Sequence, residues 1–347
     1  MLAAMEKELQ LQKDYIQGPL DTIYLGGGTP SLVPIELLDS LFNAIRTQFQ
    51  IVDGAEISIE TNPDDINPTS LSAWKALGIN RLSIGIQSFV DADLQWMNRA
   101  HHAQQAIDSI RLAKQAGFDN LTIDLIYGTP TLSDEAWKAN VDLAIAAGIS
   151  HLSCYALTVE PKTGLEKMIE KKQIEAVDPE KQARHFSLLM QWMEDAGFEH
   201  YEISNFALPG HRSKHNSSYW SGASYLGIGP SAHSFNGTSR QWNLANNSLY
   251  IQSLNKETLP FELETLTAEQ QLNEYIMTAL RTMEGLNLNR VSDLWGQEKT
   301  AQILLESKKY IARGDAYLKD HALILTKAGR LLADGIASDL FFLSAED

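Results

Sequence analysis

The chain has 347 residues, enough for one large barrel-type domain and a smaller one, and its 44% hydrophobic and 21% charged content is that of an ordinary soluble globular protein. Its 28 basic and 44 acidic residues leave a net charge of −16, which disfavours nucleic acid as a partner, and no apolar run approaches the roughly 20 residues of a membrane span. The single cysteine, Cys154, excludes intrachain disulfides and any metal cluster held by several thiolates of this chain.

In chain order, Leu2, Met5, Leu9 and Ile16 mark an amphipathic helix stopped by Gly18-Pro19. No signal peptide precedes it, so a cytoplasmic location is expected. Five short β runs follow, at Thr22–Leu25, Glu56–Ile59, Arg81–Ile86, Leu121–Ile126 and His151–Leu157. Helical stretches at Ile35–Gln48, Thr69–Leu77, Gln104–Ala116 and Asp134–Ala146 separate them. Asn67-Pro68-Thr69 and Ser133-Asp134-Glu135 read as helix starts, and Gly78, Gly117 and Gly148 as helix stops.

Repetition of one β-loop-α unit predicts an α/β fold, a partial (β/α) TIM-like barrel with a parallel sheet. Such a barrel opens on a strand, whereas this chain opens on a helix pattern, so a first strand is expected to be missing. Pro161–Val177 reads as a charged, solvated excursion, followed by a helix at Glu180–Ala196. From Tyr201 to Asn247 the composition shifts to Gly, Ser, Asn and aromatics, which predicts long irregular structure of functional use. After Pro260, helical segments around Leu272–Met283, Val291–Trp295 and Ala301–Tyr310 precede a hairpin at Tyr317-Leu318 and Leu323–Leu325, with Thr326 capping a last helix. That is the layout of a small, mainly helical, winged-helix-like domain. The expected domains are therefore 1–200, the partial barrel; 201–260, an irregular linking region; and 261–347, the C-terminal domain.

In a parallel barrel, side chains at the C-terminal strand ends converge on one pocket. The first strand ends in Tyr24-Leu25-Gly26-Gly27-Gly28-Thr29-Pro30, a sharp turn whose backbone can come very close to a ligand. The next strands end in Ile59-Glu60-Thr61-Asn62-Pro63, Gly85-Ile86-Gln87-Ser88-Phe89 and Ile123-Asp124-Leu125-Ile126-Tyr127-Gly128. A carboxylate inside an apolar strand is costly unless paired or bound to a ligand, and Glu60 and Asp124 both sit that way. Arg99 is the expected counter-charge. Such a pocket suits an amphoteric ligand with hydroxyls: the carboxylates accept from ribose or an ammonium, and Arg99 forks a carboxylate.

These segments, with Asn98-Arg99-Ala100-His101, resemble the radical S-adenosylmethionine proteins around oxygen-independent coproporphyrinogen III oxidase, over nearly the whole chain. The resemblance implies contacts to S-adenosyl-L-methionine from Gly27, Gly28, Thr29, Glu60, Gln87, Arg99 and Asp124, with a backbone contact from Ala156 to the adenine. The stretch His215-Asn216-Ser217-Ser218-Tyr219-Trp220, between Tyr201-Glu202-Ile203-Ser204-Asn205-Phe206 and Gly227-Ile228-Gly229-Pro230, is similar to the heme-chaperone branch of that family. By that resemblance His215 would ligate heme iron, with Tyr219 and Trp220 offering flat faces to the porphyrin and His233 as the alternative ligand.

The family also carries a C-x3-C-x2-C loop holding a [4Fe–4S] cluster, and this sequence has no such motif. The chain as written is therefore not expected to assemble the cluster, and a start placed at an internal Met is the favoured explanation. The expected function is heme binding and transfer to an acceptor hemoprotein, membrane-bound or not, by a chaperone rather than an enzyme. Peripheral membrane contact during transfer and a homodimer are both compatible with it. The alternatives are an oxygen-independent coproporphyrinogen III oxidase and a non-catalytic S-adenosylmethionine-binding remnant.

Overall fold

The computed structural model describes residues 1–342. After α1 (Leu2–Leu11), strands and helices alternate: β1 (Leu20–Leu25), α2 (Ile35–Gln48), β2 (Ile51–Thr61), α3 (Pro68–Ala76), β3 (Arg81–Gln87), α4 (Asp91–Trp96), α5 (Ala103–Gln115), β4 (Asn120–Tyr127), α6 (Asp134–Ala146) and β5 (His151–Ala156). Then come α7 (Gly164–Glu170), α8 (Pro179–Asp195), β6 (Glu199–Glu202) and β7 (Asn205–Ala207). The seven strands form one open sheet in the order β1-β2-β3-β4-β5-β7-β6, a half-barrel whose edges are β1 and β6. Strands β2 to β5 run parallel, and β7 joins β5 and β6 antiparallel.

Local chemistry explains the helices. Asn67 and Ser70 form a reciprocal capping box at α3, and Ser133 accepts from the Ala136 N–H at α6. Ile59, Leu82, Ile84, Ile123 and Leu125 are completely buried, as parallel strands covered on both faces must be. Ranges α2 and α6 coincide with expectation, whereas α1 ends at Leu11 rather than near Ile16. Helices α4 and α7 are additions; α7 lies inside the excursion at 161–177 and buries none of its residues.

The chain packs as two compact units. One comprises Tyr24–Leu32 and Ile57–Ser213. The other comprises Met1–Ile23, Val33–Glu56 and the described residues from Lys214 on. In this second unit follow α9 (Lys214–Ser221), β8 (His233–Phe235), β9 (Ser239–Asn243), α10 (Asn247–Asn255) and β10 (Phe261–Thr265). Strands β8, β9 and β10 form an antiparallel sheet. The stretch 201–247 is therefore not the irregular structure expected of it. Its strands are only three to five residues long, too short for an alternating pattern to mark them.

Glu8 of α1 is fully buried in the same unit and accepts from the Gly229 N–H at 2.9 Å, from Asn243 Nδ2 at 2.6 Å and from the Tyr250 hydroxyl. Burial raises its carboxyl above the usual range, and these donors pull it back. The C-terminal part contains α11 (Ala268–Leu280), β11 (Leu286–Asn287), α12 (Leu288–Trp295), α13 (Gln297–Arg313), β12 (Ala316–Lys319), β13 (Ala322–Leu325), α14 (Lys327–Arg330) and α15 (Ala333–Asp339). The order β11-β13-β12 makes the expected hairpin the core of a three-stranded wing, and Thr326 caps α14 through the Gly329 N–H. Among the described residues no helix is long and apolar enough to cross a membrane.

Candidate functional site

The glycine turn after β1 is built around a carboxylate. Glu60, at the end of β2, accepts from the Tyr24 hydroxyl at 2.7 Å and from the Gly27 N–H at 3.2 Å. A Cβ on Gly26 would lie 2.6 Å from a Tyr24 ring carbon and 2.9 Å from Glu60 Oε1, so any other residue would have to push one of those side chains aside. Gly27 and Gly28 follow with φ of 75° and 70°, and all three glycines are exposed. Thr29 opens the short turn Pro30–Leu32, its carbonyl accepting from the Leu32 N–H at 3.2 Å.

Sheet register carries this chemistry inward. Glu60 pairs with Ser83 on β3, and Asp124 on β4 pairs with Ser153 on β5. Asp124 lies deep but is not sealed off. Burial first, and the charge of Glu60 second, push its carboxyl up to about 7, while the Ser153 and Ser83 hydroxyls and the charge of Arg81 pull the other way. Burial and Glu60 likewise hold the Tyr24 hydroxyl protonated far above its ordinary range. The counter-charge acting on Asp124 is therefore Arg81, at the start of β3, where it donates to Asn120 Oδ1 and Thr122 Oγ1.

Arg99 serves a different corner. Its Nη2 donates to Asn62 Oδ1 at 2.7 Å and reaches the Gly85 carbonyl at 3.5 Å, while its Nε is buried with no hydrogen-bond partner. Asn62 Nδ2 donates to Asp65 at 3.3 Å, and Ser31, just past the glycine turn, donates to the same Asp65 oxygen at 2.6 Å. The arginine is thus tied to the glycine turn through Asn62, Asp65 and Ser31, none of which the sequence assigned a role. Gln87 ends β3 at φ 64°, a left-handed conformation costing a non-glycine residue about 1–2 kcal/mol, at a register shift between Ile84 and Gln87. The strain places its amide where a Cβ on Gly85 would come within 2.8 Å of Nε2 and 3.5 Å of Arg99 Nη2. Ala156 is the exposed last residue of β5, paired with Tyr127.

Helix α9 carries the second set. Glu56 is buried and accepts from the Lys214 N–H at 3.1 Å and the His215 N–H at 2.9 Å, so a carboxylate sits at the positive end of the helix. His215 lies in the first helical turn rather than in a loop. Its Nδ1 meets Thr22 Oγ1 at 2.9 Å and its Nε2 meets the Tyr219 hydroxyl at 3.1 Å. Burial lowers its pKa against the pull of Glu56, which favours the neutral imidazole that metal ligation needs. The Tyr219 ring stands edge-on to His215 at 5.0 Å and to Tyr225 at 4.8 Å. Tyr219 and Trp220 line a cavity of about 340 Å³. His233 stacks on Trp242 at 6.2 Å.

The residues fit some of the expected groups and not others. The buried, unused Arg99 Nε, the close-approach glycines and the paired carboxylates suit an amphoteric nucleoside. An iron–sulfur cluster does not fit: Cys154 is buried with its thiol raised by desolvation, and among the described residues no three His, Cys, Asp or Glu side chains converge.

A half-barrel with a glycine turn at its first strand end defines the radical SAM class, and residues 2–144 match the Radical SAM superfamily. The fold as a whole is that of coproporphyrinogen III oxidase HemN from Escherichia coli, a radical SAM enzyme, at a TM-score of 0.83 with 22% identity, covering 98% of this chain and 82% of that one. The chain is 35% identical to the heme chaperone HemW of Mycobacterium tuberculosis over 98% of its own length and 85% of that protein. It is 32% identical to the heme chaperone HemW of Bacillus subtilis over 92% and 85%. The chain belongs to the HemW family.

Proposed function

We propose that this protein is a heme chaperone that takes heme at His215 and hands it to an acceptor hemoprotein. The observation that carries this reading is the setting of His215: a half-buried imidazole at a helix N-terminus, its pKa lowered by burial, with its Nε2 meeting the Tyr219 hydroxyl at 3.1 Å. A neutral hydrogen bond of that kind contributes about 1 kcal/mol, so iron can displace it. Tyr219 and Trp220 then present aromatic faces to the porphyrin. Glu56 fixes the helix end, and Thr22 fixes the ring by holding Nδ1.

S-adenosylmethionine would occupy the pocket of Gly27, Gly28, Thr29, Glu60, Gln87, Arg99 and Asp124, with Ala156 at the adenine. When bound it supplies a sulfonium and an amino-acid head group. Glu60 and Asp124 accept from the ammonium or ribose hydroxyls, Arg99 offers its unused Nε to the carboxylate, and the glycine backbone admits close approach. No step is assigned to an iron–sulfur cluster. The setting proposed is the cytoplasm, with heme delivered at the membrane where the acceptor resides there.

Titration with heme tests the reading. The wild type should show a Soret shift that His215→Ala abolishes. A shift of equal size in His215→Ala would sink the assignment, and E60Q/D124N should lose S-adenosylmethionine in equilibrium dialysis while keeping the Soret shift.

A further inference from the structure

The cavity that Tyr219 and Trp220 line has another wall, to which nothing in the sequence drew attention. Tyr275 of α11 and Trp295 of α12 stack with centroids 5.7 Å apart and planes 18° from parallel. Arg290 holds its guanidinium 4.4 Å from the Tyr275 ring centroid and has no carboxylate partner among the described residues. Arg240 of β9 lines the same cavity and pairs with Glu274 at 2.9 Å, yet its Nε is buried with no hydrogen-bond partner.

Two guanidiniums, one without a counter-ion and one with an unused donor, are unusual in a chain of net charge −16. Buried N–H groups are rarely left unmade, because each costs the full desolvation of a donor. Guanidinium forks match carboxylates, and stacked aromatic walls match a flat ring system. We propose that this cavity seats a planar diacid tetrapyrrole, with Arg240 and Arg290 taking its two carboxylates and Glu274 releasing Arg240 as the ligand arrives. The choice of a tetrapyrrole rests on the heme reading of His215; the carboxylate chemistry stands on the cavity alone. Burial and the nearby Glu264 raise the Glu274 carboxyl, which favours its protonation once Arg240 is lost to the ligand.

Metal-free protoporphyrin IX separates the two, because its binding needs no iron ligand. It is titrated into the full chain and followed by tryptophan quenching, with Trp220 and Trp295 in the cavity wall. R240Q and R290Q should each weaken it about tenfold, the loss expected for a charge-assisted hydrogen bond. E274Q should tighten it severalfold, and protoporphyrin dimethyl ester should bind wild type and variants alike. The proposal is overturned if wild type does not take up the free acid, or if R240Q and R290Q match wild type. It is equally overturned if E274Q weakens binding as R240Q does, since the pair is then only structural. His215→Ala should leave metal-free binding intact; if it also leaves the heme Soret shift intact, the iron assignment falls while the carboxylate seat stands.

Discussion

The pocket around Glu60 and the helix around His215 hold their ligand groups in opposite ways. Glu60 on β2 and Asp124 on β4 sit on parallel strands either side of β3, so register sets their spacing, and burial and the charge of Glu60 raise the Asp124 carboxyl. A left-handed Gln87 and a glycine whose Cβ would meet Tyr24 and Glu60 complete the cradle. At His215 the ligand group rides on an eight-residue helix held by one carboxylate and screened by an exposed tyrosine. The first design suits a group that must be held in one pose, and the second a cargo that must leave.

The largest separation should come from Gly26→Ala. Its Cβ would overlap Tyr24 and Glu60, a clash of about 1–3 kcal/mol when the core cannot yield. S-adenosylmethionine affinity should fall by about 10–100-fold with the heme Soret shift intact. Loss of both would mean the two sites are not independent.

Asp124→Asn should come next. A carboxyl near 7 in the fold against an ordinary 3.8 binds a proton on folding between those values, so it lowers stability as pH rises from about 4 to 7 and no further above. The substitution should flatten that decline, by about 1–3 kcal/mol at neutral pH, in melting curves taken across pH 4–8. Ionisation of Asp124 should also make S-adenosylmethionine bind more tightly as pH passes 7 in the wild type and not in the variant.

Glu56→Gln should cost about 1–2 kcal/mol of stability, since it removes the charge that two helix N–H groups point at. Heme affinity should fall with it while S-adenosylmethionine binding holds, as titration of each ligand would show. Smallest of all, Tyr219→Phe uncovers His215 Nε2 and should tighten heme by up to about fivefold, from a hydrogen bond of about 1 kcal/mol. Weaker heme binding would show instead that the hydroxyl helps to hold the cargo.

Where chemistry is local, the amino-acid sequence determined the outcome by itself. Helices α2 and α6 start and stop where periodicity and nearby residues place them, and Gly78, Gly117 and Gly148 end helices in left-handed turns. The candidate pocket residues were readable for the same reason: a polar side chain at the end of an apolar strand stands out against its neighbours. What only the tertiary structure decided is which groups meet. Arg99 follows Gln87 closely in the chain, yet Arg81 is the cation that lowers the Asp124 carboxyl, because strand pairing and not sequence distance sets the separation. The pairing of β9 with β10, the anchoring of Glu8 and the arginine–aromatic cavity all join segments about twenty to more than two hundred residues apart, with no periodic signal to announce the contact. Contacts of that kind exist only once the core has closed around them.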